Sequence, residues 1–150
     1  MQIVTFNYLD SALPLKNKTM VKAFIPTIFK KEKKGLNYIN YIFCSDESLL
    51  ELNKQQLNHD YYTDILTFEL SSTDKTEAEI YISVDRIKDN AKVLKQPLEK
   101  EILRVLFHGA LHLCGYKDKT KKEEDIMREK EEYYINNYYK RFVPRETLNK

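Results

Sequence analysis

LEKEILRVLFHGALHLCGYKD, residues 98–118, is the stretch around which the rest of the chain arranges itself. Leu98 to Cys114 reads as one long helix. Pro97 stands directly before it, and Glu99 and Glu101 fall in the first turn, where the helix dipole favours acids. Gly115 ends it in the way glycine commonly ends helices. Ile102, Leu103, Val105, Leu106, Phe107, Leu111 and Leu113 make it apolar on most sides, which predicts a central, buried helix. Within it, His108 and His112 are four residues apart. That spacing puts both imidazoles on one face, one turn apart, where they can share an ion. Two unpartnered imidazoles in so apolar a helix would be costly.

Gly115 lets the chain fold back, and Asp118 follows on the returning segment. A catalytic zinc site takes three N, O or S ligands and keeps one position for water. His108, His112 and Asp118 meet that count, which predicts one Zn2+ ion and a hydrolase. His59 is the only other histidine. It is the alternative third ligand, an acid or base beside the metal and so the candidate catalytic residue, or a loop histidine with no role. Cys114 lies two residues past His112, on roughly the opposite side of the helix, and is rejected as a ligand.

Gly109 occupies the position where a zinc protease of the HExxH type carries its glutamate base. A metalloprotease-like hydrolase is therefore the lesser reading, and the glycine is read as allowing close packing against a strand. A metal-bound water can still be activated by the ion alone.

The 150 residues suit one domain, 1–150, with a core of ordinary size. No apolar run reaches the roughly 18 residues of a membrane span. The first residues, MQIVTFNYLDSALPLK, lack the layout of a signal peptide, so a cytoplasmic protein without a membrane partner is expected. Cys44 and Cys114 form no CxxC pair and are read as buried thiols. A net charge of +2 does not mark a nucleic-acid binder by itself. The charge is uneven, however. Lys30, Lys31, Lys33 and Lys34 are read as a solvated face. Lys117, Lys119, Lys121 and Lys122 adjoin the candidate metal site, where they would attract a polyanion such as RNA.

Upstream, Gln2 to Tyr8 reads as a strand. A helix follows from Asn17 to about Glu32, with Pro26 expected to kink or interrupt it. Leu36 to Cys44 is a second strand. Ser45 caps a helix that runs to about Gln56 with Leu49, Leu50 and Leu52 inward. Asn58 to Tyr62 is a loop, and Asp64 to Leu70 and Ala78 to Val84 are strands. Asp85 is expected to cap a short helix to about Lys95. A last helix covers about Lys121 to Tyr139, and the tail from about 141 is expected to be loose. The class is α+β: a small mixed sheet packed with helices.

HGALHLCGYKD, residues 108–118, resembles the HGxLHLxGYDH signature of the YbeY family, bacterial endoribonucleases that mature ribosomal RNA. Glu123, Met127 and Glu131 match an ExxxMxxxE pattern downstream of it. Thr63 to Phe68 (TDILTF) resembles the family's PTDVLSF segment, Ala78 to Ser83 (AEIYIS) its GDIxIS segment, and Leu52-Asn53 its LN. The resemblance implies a metzincin-like zinc helix, cleavage of single-stranded RNA in 16S rRNA 3′-end maturation, and ribosome quality control. It also implies ribosomal RNA and the ribosome or small-subunit assembly proteins as partners, with no DNA expected. A non-enzymatic assembly factor with a structural metal is the further alternative. The family's third histidine falls at Asp118, to which the ligand role is carried over, and its preceding aspartate at Lys117. Its arginine, a planar phosphate donor, falls at Leu57. Tyr62 and Ala78 stand where the family has proline and glycine. Glu123, Met127 and Glu131 are read as one helical stripe, with Met127 packed beneath the site and the glutamates orienting their neighbours. Tyr133, Tyr134, Tyr138 and Tyr139 are read as the apolar face of the last helix rather than as bases' stacking partners.

Overall fold

The computed structural model describes residues 3–57 and 63–142. The loop around His59 and the tail beyond 142 lie outside the described residues. In chain order the elements are β1 (Val4–Tyr8), α1 (Lys18–Lys31), β2 (Leu36–Cys44), α2 (Asp46–Leu57), β3 (Ile65–Glu69), β4 (Thr76–Ser83), α3 (Val84–Val93), α4 (Leu98–Leu113) and α5 (Lys121–Phe142). The strands form one mixed sheet in the order β1-β2-β4-β3. β1, β2 and β4 run parallel, while β3 pairs antiparallel with β4 and forms one edge. This is the expected α+β arrangement.

Alternation divides the sheet into two faces. Ile39, Tyr41 and Phe43 of β2, with Ala78, Ile80 and Ile82 of β4, are fully buried in the main core with α1, α4 and α5. The opposite face is smaller: Leu66 and Cys44 pack with Leu49 of α2. The Tyr41 hydroxyl donates to the Leu106 carbonyl at 2.9 Å and so ties the centre of the sheet to α4. Gly109 is where helix and sheet come closest. A Cβ there would lie 3.0 Å from Ile65 Cδ1 and 3.1 Å from Ile80 Cδ1, so a larger residue would need these side-chain ends to give by a few tenths of an ångström.

Three local expectations are corrected. Pro26 lies inside an unbroken α1. A proline in a helix interior costs ~3 kcal/mol. The same helix buries Val21, Phe24, Ile25, Ile28 and Phe29, each worth about 1.5–3 kcal/mol, so packing wins. The helix after β4 is capped by Ser83, whose Oγ accepts the Arg86 N–H at 3.1 Å, and not by Asp85. Asp85 instead accepts the backbone N–H of Asp46 at 2.9 Å, at the start of α2. The last helix runs past Tyr139 to Phe142, so Arg141 is helical rather than loose. Phe142 stacks on Tyr138 with ring centroids 5.4 Å apart, which anchors the extra turn. Tyr134 and Tyr138 are buried as expected, whereas Tyr133 is exposed. No helix among the described residues is long and apolar enough to cross a membrane.

Candidate active site

α4 carries the site because its two faces differ. Arg104, His108 and His112, spaced by four, form one stripe that misses the core and lines a cleft of about 690 Å³. The edge strand β3 and the residues before it supply one wall of this cleft, and the first half of α5 another. Asp118 also lines it, so His108, His112 and Asp118 are brought to one place.

Two anchors hold the returning segment. Gly115 has φ +110°, the left-handed region that glycine adopts without strain. Tyr116 then donates its hydroxyl to Glu32 at 2.7 Å; Glu32 also accepts from Tyr134 and from Lys130. One carboxylate thus ties together the end of α1, the return and α5. Burial pushes Glu32 towards the protonated form, but the two phenols and Lys130 outweigh it and keep its pKa below the ordinary carboxylate value.

His108 is the best-defined group. Its Nδ1 is 2.7 Å from Glu131 Oε2, and its Nε2 is 3.2 Å from Asp118 Oδ2. Burial disfavours the imidazolium, yet the Glu131 hydrogen bond and the charges of Glu131, Asp118 and Asp64 raise its pKa above the ordinary imidazole value. His112 lies at the exposed part of the stripe. Among the described residues no three His, Cys, Asp or Glu side chains stand in metal-binding geometry. The candidate ligands share the cleft without closing into a ready-made triad. His59 lies outside the described residues.

The Glu123–Met127–Glu131 stripe divides its labour. Glu131, buried, orients His108. Met127 is buried at the cleft. Glu123 completes a capping box at the start of α5: its backbone N–H donates to Thr120 Oγ1 at 3.1 Å, and its Oε1 accepts the Thr120 N–H at 3.0 Å. Lys117, Lys119, Lys121 and Lys122 are exposed and do not line the cleft. Lys121 is paired with Asp125 at 2.7 Å.

Three further residues of the cleft escape the sequence reading. Asp64 precedes the edge strand; burial raises its pKa, opposed by the charges of His108 and Arg104. Glu101 is buried and bonded to Arg104; burial raises it too, against the pull of that arginine. The spacing of four before His108 is a legible sign that Arg104 shares the histidine stripe. Glu101 is three residues before Arg104, and Asp64 falls within the TDILTF segment that resembles a family motif, although its spacing alone assigns it no role. Cys114 is buried, and burial pushes its thiol up to about 12, so at neutral pH it is a protonated, poor ligand.

The family model for endoribonuclease YbeY matches residues 7–139. The endoribonuclease YbeY of Cytophaga hutchinsonii is 50% identical over 124 residues, 82% of this chain and 87% of that protein. That of Flavobacterium psychrophilum is 42% identical over 130 residues, 87% of this chain and 92% of that protein. In three dimensions the chain resembles the solution structure of TM1509 from Thermotoga maritima. The TM-score is 0.62 at 31% identity, covering 91% of this chain and 89% of that one. With a matching family model across most of its length, and relatives this similar over most of theirs, the chain belongs to the endoribonuclease YbeY family.

Proposed function

We propose that this protein is a zinc-dependent endoribonuclease that cuts single-stranded RNA in 16S rRNA 3′-end maturation. The ribosome or its small-subunit assembly proteins would be its working partners. His108, His112 and Asp118 would hold the ion. The observation that carries this reading is His108 itself. An imidazole whose two nitrogens both face carboxylates is stable as a doubly protonated cation, or with another cation in place of one proton. With Nδ1–H donated to Glu131, Nε2 is left with its lone pair directed to the side where Asp118 lies. Carboxylate–histidine pairing of this kind orients and strengthens metal-ligating imidazoles. The donor set fits zinc: two imidazoles and a carboxylate, with the neighbouring thiol buried on another side. His112 is exposed, lines the same cleft and stands one turn from His108 on the same helix, where this spacing puts both imidazoles on one face.

Bound there, zinc would lower the pKa of a water and polarise a phosphodiester oxygen. The protein's own residues do the rest. Glu131 fixes the tautomer and orientation of His108. Tyr116, anchored by Glu32, fixes the return that carries Asp118. Asp64, half-buried at the cleft wall, is the candidate proton acceptor. The Lys117–Lys122 cluster raises the positive potential beside the cleft and favours approach of RNA. Position 109 carries no protease-like base, and its glycine lets the helix lie close to Ile65 and Ile80.

The test pairs cleavage of a single-stranded RNA with metal content in the wild type and the His108→Ala and His112→Ala variants. The expected result is loss of both in each variant. Full zinc stoichiometry in either variant would remove that histidine from the ligand set, and cleavage by metal-free protein would remove the ion from the reaction.

A further inference from the structure

RNA brings negative charge into a cleft already rich in it. Asp64, Glu101, Asp118, Glu124 and Glu131 all line the walls. Against these carboxylates the lining offers, among the described residues, two guanidinium groups, Arg104 and Arg128, and no lysine. Arg104 is on α4, one turn before His108; Arg128 is on α5, about one turn before Glu131. Arg104 therefore stands about 6 Å, and Arg128 about 4.5 Å, along its helix from one member of the His108–Glu131 pair. Two helices thus carry a cation apiece to the same cleft, beside the same pair.

The two arginines are held differently. Arg104 is bonded to Glu101, whose relative exposure is 3%, and its own side chain is 14% exposed. A guanidinium has five N–H donors, and the bond to Glu101 leaves others for a second acceptor. Glu101 thus fixes the fork before any ligand arrives, which reduces the ordering cost of binding. Arg128 is exposed and forms no ion pair among the described residues. A planar fork suits the tetrahedral oxygens of phosphate, which it can grip through two parallel bonds.

We propose that Arg104 and Arg128 form a phosphate clamp, gripping the RNA backbone from α4 and α5 on either side of the His108–Glu131 pair. The clamp rests on the ribonuclease reading above. It assigns backbone binding to the cleft arginines, while the lysine cluster contributes only diffuse attraction.

The test measures equilibrium binding of a labelled 2′-O-methyl single-stranded oligoribonucleotide to the full chain over a salt series, with cleavage of the unmodified RNA assayed alongside. Arg104→Gln and Arg128→Gln should each weaken binding roughly ten-fold, equally for different sequences. Each should also reduce the salt slope by about 0.7, the value for one phosphate of a single strand released from its cation. Arg104→Lys should restore the slope but not the full affinity, because the charge returns without the fork. Lys121→Gln should change affinity less than about two-fold. Removing Arg104 strands the buried Glu101, so melting curves accompany that variant; the exposed Arg128 has no such complication. A folded Arg128→Gln protein with wild-type affinity and slope overturns the clamp while leaving the ribonuclease reading intact. A wild type that neither binds nor cuts RNA overturns both.

Discussion

The two faces of α4 put opposite demands on one helix. Ile102, Leu103, Leu106, Phe107, Ala110 and Leu111 are buried almost completely and hold the sheet against the helical layer. Arg104, His108 and His112 stand one turn apart along the cleft. The first face is interchangeable chemistry in a fixed shape, where volume matters and identity matters less. The second is fixed chemistry, and among the described residues only its exposed end, His112, is free of buried partners: Arg104 and His108 are bonded to buried Glu101 and Glu131. Changes on the core face should therefore cost stability and leave the chemistry of the surviving folded molecules intact. Changes at the exposed end of the cleft face should do the reverse.

The largest effect expected on the core face is Phe107→Ala. Phe107 is fully buried against Phe24 and Tyr138, and its truncation should cost about 3–5 kcal/mol in urea unfolding. Zinc stoichiometry per folded molecule should not change. On the cleft face, His112→Ala should lower RNA cleavage by roughly a thousand-fold, about 4 kcal/mol in transition-state stabilisation, while the melting temperature barely moves because the side chain is exposed. A large fall in melting temperature would erase the distinction between the faces. Glu131→Gln keeps an acceptor for His108 but removes its charge. It should weaken zinc binding about 10- to 100-fold, read by competition with a chelator.

The smallest effect concerns the thiols. Burial, more than the charges nearby, pushes Cys44 and Cys114 up to about 12. An unfolded thiol ionises near about 8.5. Between those values the folded state holds more protons than the unfolded one, so stability should fall gradually as pH rises from about 9 towards 12. Both thiols should react slowly with a disulfide reagent in native protein and quickly in urea, and the alkaline loss should diminish in Cys44→Ala. Rapid native reaction of Cys114 would place it on the accessible side, among the chemistry.

What can be read from the sequence follows the range of the interaction. The histidine pair, the Gly115 bend and the apolar wrap of α4 are encoded within one or two turns, and the structure has them. So has β2, from Leu36 to Cys44 as expected. Pro26 misleads because local propensity omits the apolar surface that its helix buries. Ser83 takes the capping role expected of Asp85 because Asp85 finds a partner at the start of α2, 39 residues away in sequence. The hold of Glu131 on His108 and of Glu32 on Tyr116 spans 23 and 84 residues. Periodicity can put such a residue on a face, but only the fold chooses its partner.

Asp118 is decisive, because it is the proposed ligand at which this chain departs from the signature it resembles. Its role can be read from the cobalt(II) spectrum of the substituted protein, taken for the wild type, Asp118→Ala and Asp118→His. The wild type should show the intense visible bands of a low-coordinate site without thiolate charge transfer. Asp118→Ala should lose or shift those bands with a weakened metal affinity, and Asp118→His should keep a tight site with an altered spectrum. An unchanged spectrum and affinity in Asp118→Ala would take Asp118 out of the ligand set and leave the two-histidine, one-carboxylate site without its carboxylate.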